Sequence, residues 1–442
     1  MRWKHGLLCC LLFMLGAAQL TQAVHAATNH PAARITEKIL YRFKGGADGA
    51  NPLPGVVMDR AGDLYGTTSG MHLRKGPCKR CGTVFEISAR MHVETVLHTF
   101  SGGADGAHPA AGVVVGRYGN LYGITEMGGR NCTTGYVFGC GTVFQVSPRN
   151  HAEIILHASS RAGGSWPQGG VILDAKGDIY GMTSTGLCPS GKYGCGTVFE
   201  IAAGSRKAIV LHTFSPGDHA NGTPEHRLLI GRSGNLYGAT WNLGAGRRDG
   251  TVFEITAGKH EFRILHSFTG GRDGIAPNGG LVMDRKGNLY GTTGWGGGWC
   301  INGRSAGDDA LGCGTVFEIA AGTHRETILH HFKGGRGGME PNGGLLLDSD
   351  GDLYGTTAGG GINCRRGCGI VFKVAAVTHK VTVLYRFKGG RDGEHPGGNL
   401  VMDKAGDLYG TTFDGGENCL SAFIPGRGCG TVFEIIRRTP RR

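Results

Sequence analysis

Twelve cysteines give this 442-residue chain its clearest chemical pattern once Cys9 and Cys10, which lie in an apolar N-terminal run, are set aside from the total of fourteen. They fall as six local pairs: Cys78/Cys81, Cys132/Cys140, Cys188/Cys195, Cys300/Cys313, Cys364/Cys368 and Cys419/Cys429. The second member of each pair directly precedes Gly-Thr-Val-Phe or Gly-Ile-Val-Phe. Cys78-Lys79-Arg80-Cys81 has the C-x-x-C form of zinc and redox sites. The other spacings vary and few histidines lie nearby, so structural disulfides of an exported protein are the better account.

Other candidates are weaker. Gly303-Arg304-Ser305-Ala306-Gly307 fits G-x-S-x-G, but it falls inside a cysteine loop and lacks the strand-turn-helix context that such a nucleophile needs. There is no H-E-x-x-H and no phosphate loop, so no catalytic residue, metal or cofactor is assigned. His98, His157, His212, His266 and His330 recur at one position of a repeat, which spreads them around a rim where they cannot converge on one ion. Asp48, Asp105, Asp273 and Asp392 recur in Phe-x-Gly-Gly-x-Asp-Gly-x-x-Pro. Each is placed either to ligate a cation or to close its own turn, and the turn is the preferred reading. The run Asp348–Asp352 lacks the spacing and closing Glu of a calcium loop and also reads as a turn.

The elements that must position these residues come from a repeat. Leu/Ile-Tyr-Gly occurs seven times, with Tyr65, Tyr122, Tyr180, Tyr237, Tyr290, Tyr354 and Tyr409 spaced 53 to 64 residues apart. Val-Phe recurs seven times, ending at Phe85, Phe144, Phe199, Phe253, Phe317, Phe372 and Phe433. Leu-His/Tyr-x-Phe recurs from Leu40 to Leu384, with Ser159 replacing the Phe in one copy. One unit therefore reads as four short strands, in the fifth copy Gly280–Asp284, Asn288–Thr293, Thr315–Ile319 and Arg325–Phe332, bounded by glycine turns. Seven such units predict an all-β, seven-bladed β-propeller over 35–436, with four antiparallel strands per blade. The seventh unit stops after its third strand, and Ile39–Phe43 matches the missing fourth, so the N-terminal strand is expected to close the last blade. The fourth unit lacks both cysteines, with Asp249 in the second position, as local pairing predicts.

Composition fits this reading. Glycine supplies 84 residues, far above the usual ~7 %, and charged residues are only 18 %, too few for a disordered chain. Residues 1–26 read as a secretory signal peptide, 27–34 as a linker and 437–442 as a basic tail. The formal charge of +12 is scattered singly outside that tail, which argues against nucleic acid, and no mature segment is long and apolar enough to span a membrane. A secreted or periplasmic monomer is expected.

The strings Gly-Asn-Leu-Tyr-Gly-Thr-Thr (287–293), Gly-Thr-Val-Phe-Glu-Ile (314–319), Leu-His-x-Phe and Gly-Gly-x-Asp-Gly resemble the GloVer-type repeat of bacterial choice-of-anchor tandem repeat proteins. The resemblance covers 35–436 and implies an exported repeat protein, with no catalytic residue to carry over. Two functions follow as expectations: a non-catalytic module binding a glycan or envelope protein, or an exported propeller enzyme such as a lyase or glycan hydrolase. Trp166, Trp241, Trp295 and Trp299, none at a repeated strand position, are expected on one face over three consecutive blades as the ligand-binding site.

Overall fold

The computed structural model describes residues 34–53, 55–70, 81–129, 139–160, 162–188, 190–191, 194–214, 226–241, 250–298, 300, 312–361, 364, 367–416, 419 and 428–438. The signal peptide, most of the linker, Cys78, Cys132, Asp249, Trp299, the G-x-S-x-G segment and the last four residues lie outside them. No helix among the described residues is long and apolar enough to cross a membrane.

Seven antiparallel sheets follow one another along the chain, and each keeps its strands in the order first, second, third, fourth. In the fifth blade the second, third and fourth strands are Leu289–Trp295, Thr315–Ile319 and Glu326–His331. The seventh sheet takes its fourth strand from the other end of the chain. Arg34–Arg42 pairs with Thr431–Arg438, which pairs with Leu408–Asp414, which pairs with Glu394–Met402. The N-terminal strand thus closes the last blade, as the sequence predicts. The ring lies within a compact unit of Glu37–Ile436, and the described parts of the two chain ends outside it are strand ends.

The first strand departs from the sequence reading. In the fifth blade it comes in two pieces, Ile275–Pro277 and Val282–Met283, both paired with the second strand. The Asn278-Gly279-Gly280 segment bulges between them and breaks the polar–apolar alternation by which a strand is recognised. In blades three and seven the same register shift sits inside a continuous strand. The end of the Gly-Gly-x-Asp-Gly-x-x-Pro string is therefore strand, not connection.

The repeated strings are explained by contacts within and between blades. Inside the fifth blade, Gly291 lies flat on the Phe317 ring, so any Cβ there would meet ring carbons. Between blades, the Phe directly after six of the fourth strands meets the third-strand Phe of the next blade edge to face. These pairs are Phe43–Phe85, Phe100–Phe144, Phe214–Phe253, Phe268–Phe317, Phe332–Phe372 and Phe387–Phe433, with centroids 5.0 to 5.3 Å apart. Such pairs contribute about 0.5–1.5 kcal/mol beyond their burial. The one joint outside this set, between blades two and three, has buried Ser159 in place of the ring.

A second inter-blade contact accounts for the cysteine position. The residue before the first-strand proline is left-handed in six blades: Asn51, His108, Trp166, Ala276, Glu340 and His395, with φ between 53° and 57°. The backbone N–H of five of them donates to the carbonyl of the preceding blade's second cysteine, as His108 does to Cys81 at 2.8 Å and Glu340 to Cys313 at 3.0 Å. Disulfides join Cys188–Cys195, Cys300–Cys313, Cys364–Cys368 and Cys419–Cys429, each inside one blade. Cys81 and Cys140 are disulfide-bonded as well. Each such bond closes a short loop and contributes roughly 2–3 kcal/mol. Non-reducing peptide mapping of the purified protein is expected to return six bonds, each within one blade; a bond between blades or a stoichiometric free thiol would contradict this pairing.

Candidate ligand-binding site

The second-to-third-strand loops and the inter-blade connections share one face, because the loops hydrogen-bond to the connections. Gly129 N–H donates to the Gly103 carbonyl at 2.9 Å, and Gly297 N–H to that of Gly271 at 3.1 Å. On this face two of the expected tryptophans meet. Trp241 directly follows the second strand of blade four, and Trp295 ends that of blade five. Their half-buried rings lie 5.8 Å apart at an interplanar angle of 39°. Trp295 is thus strand rather than loop. Trp166, expected in a connection, is the second residue of the strand Ser165–Leu173.

The central cavity, about 530 Å³, is lined by residues in or just before the first strand of all seven blades, and neither tryptophan of the pair is among its lining residues. The residue following the Thr-Thr or its equivalent in the second strand lines it as Ser69, Glu126 and Phe413, and Trp241 holds this position in blade four. Gly294, next to Trp295, packs against Asn278, another lining residue. The lining is mostly glycine and apolar side chains, punctuated by the amides of Gln168, Asn278, Asn342 and Asn399 and by Glu126, which accepts from Gln168 at 3.3 Å.

Blade four breaks the pattern. Where other blades place small residues such as Gly279-Gly280 or Gly343-Gly344, it places His226-Arg227. Burial pushes the His226 imidazole down to about 4, and its Nε2 has no hydrogen-bond partner. Burial also lowers the Arg227 guanidinium, and no neighbouring charge among the described residues opposes this. Among the described residues the cavity lining thus carries one guanidinium, Arg227, and one carboxylate, Glu126, with amides around them. Sequence reasoning missed both His226 and Arg227, although their signal is legible: every other copy of the repeat has at least one glycine at this pair of positions, and blade four has none.

At the rim, the four aspartates each accept backbone N–H groups of their own turn. Asp48 accepts from Lys44 at 2.8 Å, Asp105 from Ser101 at 2.7 Å, Asp273 from Thr269 at 2.7 Å and Asp392 from Lys388 at 2.6 Å. The histidines stay on separate blades. Two of them nevertheless meet acids from elsewhere: His98 with Asp105 and Glu153, and His266 with Asp273 and Glu326. At the equivalent places beside Asp48 and Asp392 a tyrosine replaces the histidine, and its hydroxyl donates to the aspartate, Tyr41 at 3.0 Å and Tyr385 at 2.7 Å. Burial, reinforced by the neighbouring aspartate, pushes Glu153 and Glu326 up to about 8 and Glu37 and Glu94 up to about 7.

Seven four-stranded blades around one axial cavity make this chain a seven-bladed β-propeller. It belongs to the Gloeobacter/Verrucomicrobia repeat family, whose model matches residues 28–186, 70–305 and 301–441. No curated protein matches it in sequence. Among solved structures it is similar to an oligogalacturonate lyase from Vibrio parahaemolyticus, at 7 % identity and TM-score 0.54 over 91 % of this chain and 96 % of that one. It is also similar to an extracellular domain assigned to a hybrid two-component system of B. thetaiotaomicron, at 12 % identity and TM-score 0.53 over 90 % and 41 %. The Pseudomonas aeruginosa periplasmic gluconolactonase matches at 14 % identity and TM-score 0.49 over 85 % and 99 %. At these identities the likeness is one of fold.

Proposed function

We propose that the protein is an exported, non-catalytic binding module for a glycan, held on the face that carries Trp241 and Trp295. The adjacent tryptophan rings carry this reading: two large apolar faces side by side suit the faces of successive sugar rings. The amides of Asn278, Asn342 and Asn399 supply donors and acceptors for hydroxyls, and Arg227 favours a ligand bearing a carboxylate. Disulfides in every blade but the fourth support an oxidising compartment, periplasmic or extracellular. A glycan array followed by titration tests the reading. Trp241→Ala with Trp295→Ala is expected to weaken the best ligand by about 10-fold or more, roughly 1.4 kcal/mol, with circular dichroism and melting unchanged. Unchanged affinity in a folded double variant would remove this face from the site.

A lyase or hydrolase is the second reading, favoured by His108, His226 and Glu126 lining the same cavity. Among the described residues Glu126 is the one carboxylate in that lining, which does not supply the pair that most glycoside hydrolases use. Turnover of a uronate-containing polysaccharide, lost in Glu126→Gln, would favour the enzyme over the module.

A further inference from the structure

The His-Asp-Glu clusters at two blade joints are built alike from three separate stretches of chain. At the first, His98 is the penultimate residue of the outer strand of blade one, Asp105 lies in the connection and Glu153 begins the outer strand of blade two. His98 Nε2 is 3.5 Å from Glu153 Oε2 and 3.7 Å from Asp105 Oδ2. At the second, His266 Nε2 is 3.5 Å from Glu326 Oε2, and Asp273 completes the set. In each cluster one ligand atom per residue lies within 4.8 Å of the other two. The imidazole Nε2 is buried without a hydrogen-bond partner at both joints, as is the second glutamate oxygen, Oε1, which is equally unpartnered in Glu37 and Glu94 at the tyrosine joints. Unsatisfied buried polar atoms of this kind are costly unless something engages them.

The seven copies of the repeat supply an internal comparison. The glutamate stands four residues before the His/Tyr position as Glu37, Glu94, Glu153 and Glu326, and the connection entering each of these four blades holds the aspartate. Where Gly163 and Gly337 stand in the aspartate's place, Ala208 and Val381 stand in the glutamate's. In these six joints both acids are kept or lost together, although neither is a neighbour of the other in sequence; the seventh, into blade four, has Phe262 in the glutamate's place and a connection of different sequence. At the joints with tyrosine, the phenol donates to the aspartate. At the joints with histidine, the three groups offer only lone pairs once the imidazole Nε2 and the glutamate are both unprotonated. Two carboxylates and an imidazole balance the charge of a divalent ion, and a mixed oxygen and nitrogen set suits manganese or zinc.

We propose that His98, Asp105 and Glu153, and separately His266, Asp273 and Glu326, each bind one divalent cation of the manganese or zinc type, tying blade one to blade two and blade four to blade five. Because the ligands come from adjacent blades, binding stabilises only the closed joint and raises the melting temperature by mass action.

The test uses the mature, disulfide-intact chain stripped with a chelator and dialysed. Calorimetric titration with manganese chloride, and with zinc chloride in parallel, is expected to give two equivalents, with a melting temperature raised on the order of 5 °C at saturation. Glu153→Gln and Glu326→Gln should each remove one equivalent, and the double variant both. Glu94→Gln, the same substitution at a tyrosine joint, should leave two. Metal counts by elemental analysis give the stoichiometry independently of melting. Absence of binding by the folded wild-type chain at millimolar cation overturns the proposal. So does a folded double variant that keeps two equivalents, or a Glu94→Gln chain that loses one.

Discussion

A chain lacking Ile35–Phe43 is expected to lose the stable ring altogether. Phe43 is fully buried, packs edge to face on Phe85 at 5.1 Å, and donates its backbone N–H to Gly430 at 3.1 Å. Leu40 lies in the same cluster as Val56, Phe85 and Val432, which joins the seventh blade to the first. Truncating a buried Phe costs about 3–5 kcal/mol and a buried Leu about 2–5, while a domain's whole stability is about 5–15 kcal/mol. The deletion also leaves Thr431–Arg438 as an open edge, which invites aggregation. Light scattering and thermal melting check this, with Phe43→Ala as the milder variant. A truncated chain that stays monodisperse and melts with the full chain would show that the ring does not depend on this strand.

Gly314→Ala is expected to destabilise far more than Gly322→Ala, although both glycines have positive φ in the same blade. Gly314, at φ +94°, directly follows Cys313, and a Cβ there would lie 2.6 Å from Pro341 Cδ of the next blade and closer still to the Thr293 carbonyl. Gly322, at φ +75°, has open space where a Cβ would sit. Left-handed strain of about 1–2 kcal/mol applies to both, and the inter-blade clash adds about 1–3 kcal/mol at Gly314 alone. Denaturant midpoints of the two variants give the difference directly. Equal losses would mean that the cysteine loop is not pressed against its neighbour.

Much of this architecture is legible from residue types. The Leu-Tyr-Gly and Val-Phe strings mark strands because a glycine and a phenylalanine face each other inside each blade, and Ile39–Phe43 announces the closure by resembling Val383–Phe387. The first strand is less legible, since a bulge at the glycine pair hides the half that contains Ile275–Pro277. The same bulge hides the left-handed residue before each proline, so Trp166 reads as connection when it is strand. The meeting of Trp241 and Trp295 is foreshadowed by their shared face, but their contact depends on how adjacent blades are set. His226 and Arg227 read as ordinary polar residues until the ring places their strand at the axis. Glu153 comes to His98 only because 55 residues of chain return to the same rim.

The joints have a consequence for assembly. Six of the seven use the same ring-on-ring contact, so the surfaces by themselves scarcely distinguish one neighbour from another. Short connections remove the ambiguity for six joints, because each blade is tethered beside its successor. The closing strand has no such tether, since it must find a partner at the far end of the chain, and closures of that sequence separation form slowly. During that delay the open strand of one molecule fits the open edge of another as well as its own. Protein concentration during refolding therefore sets the balance between closed monomers and strand-exchanged oligomers.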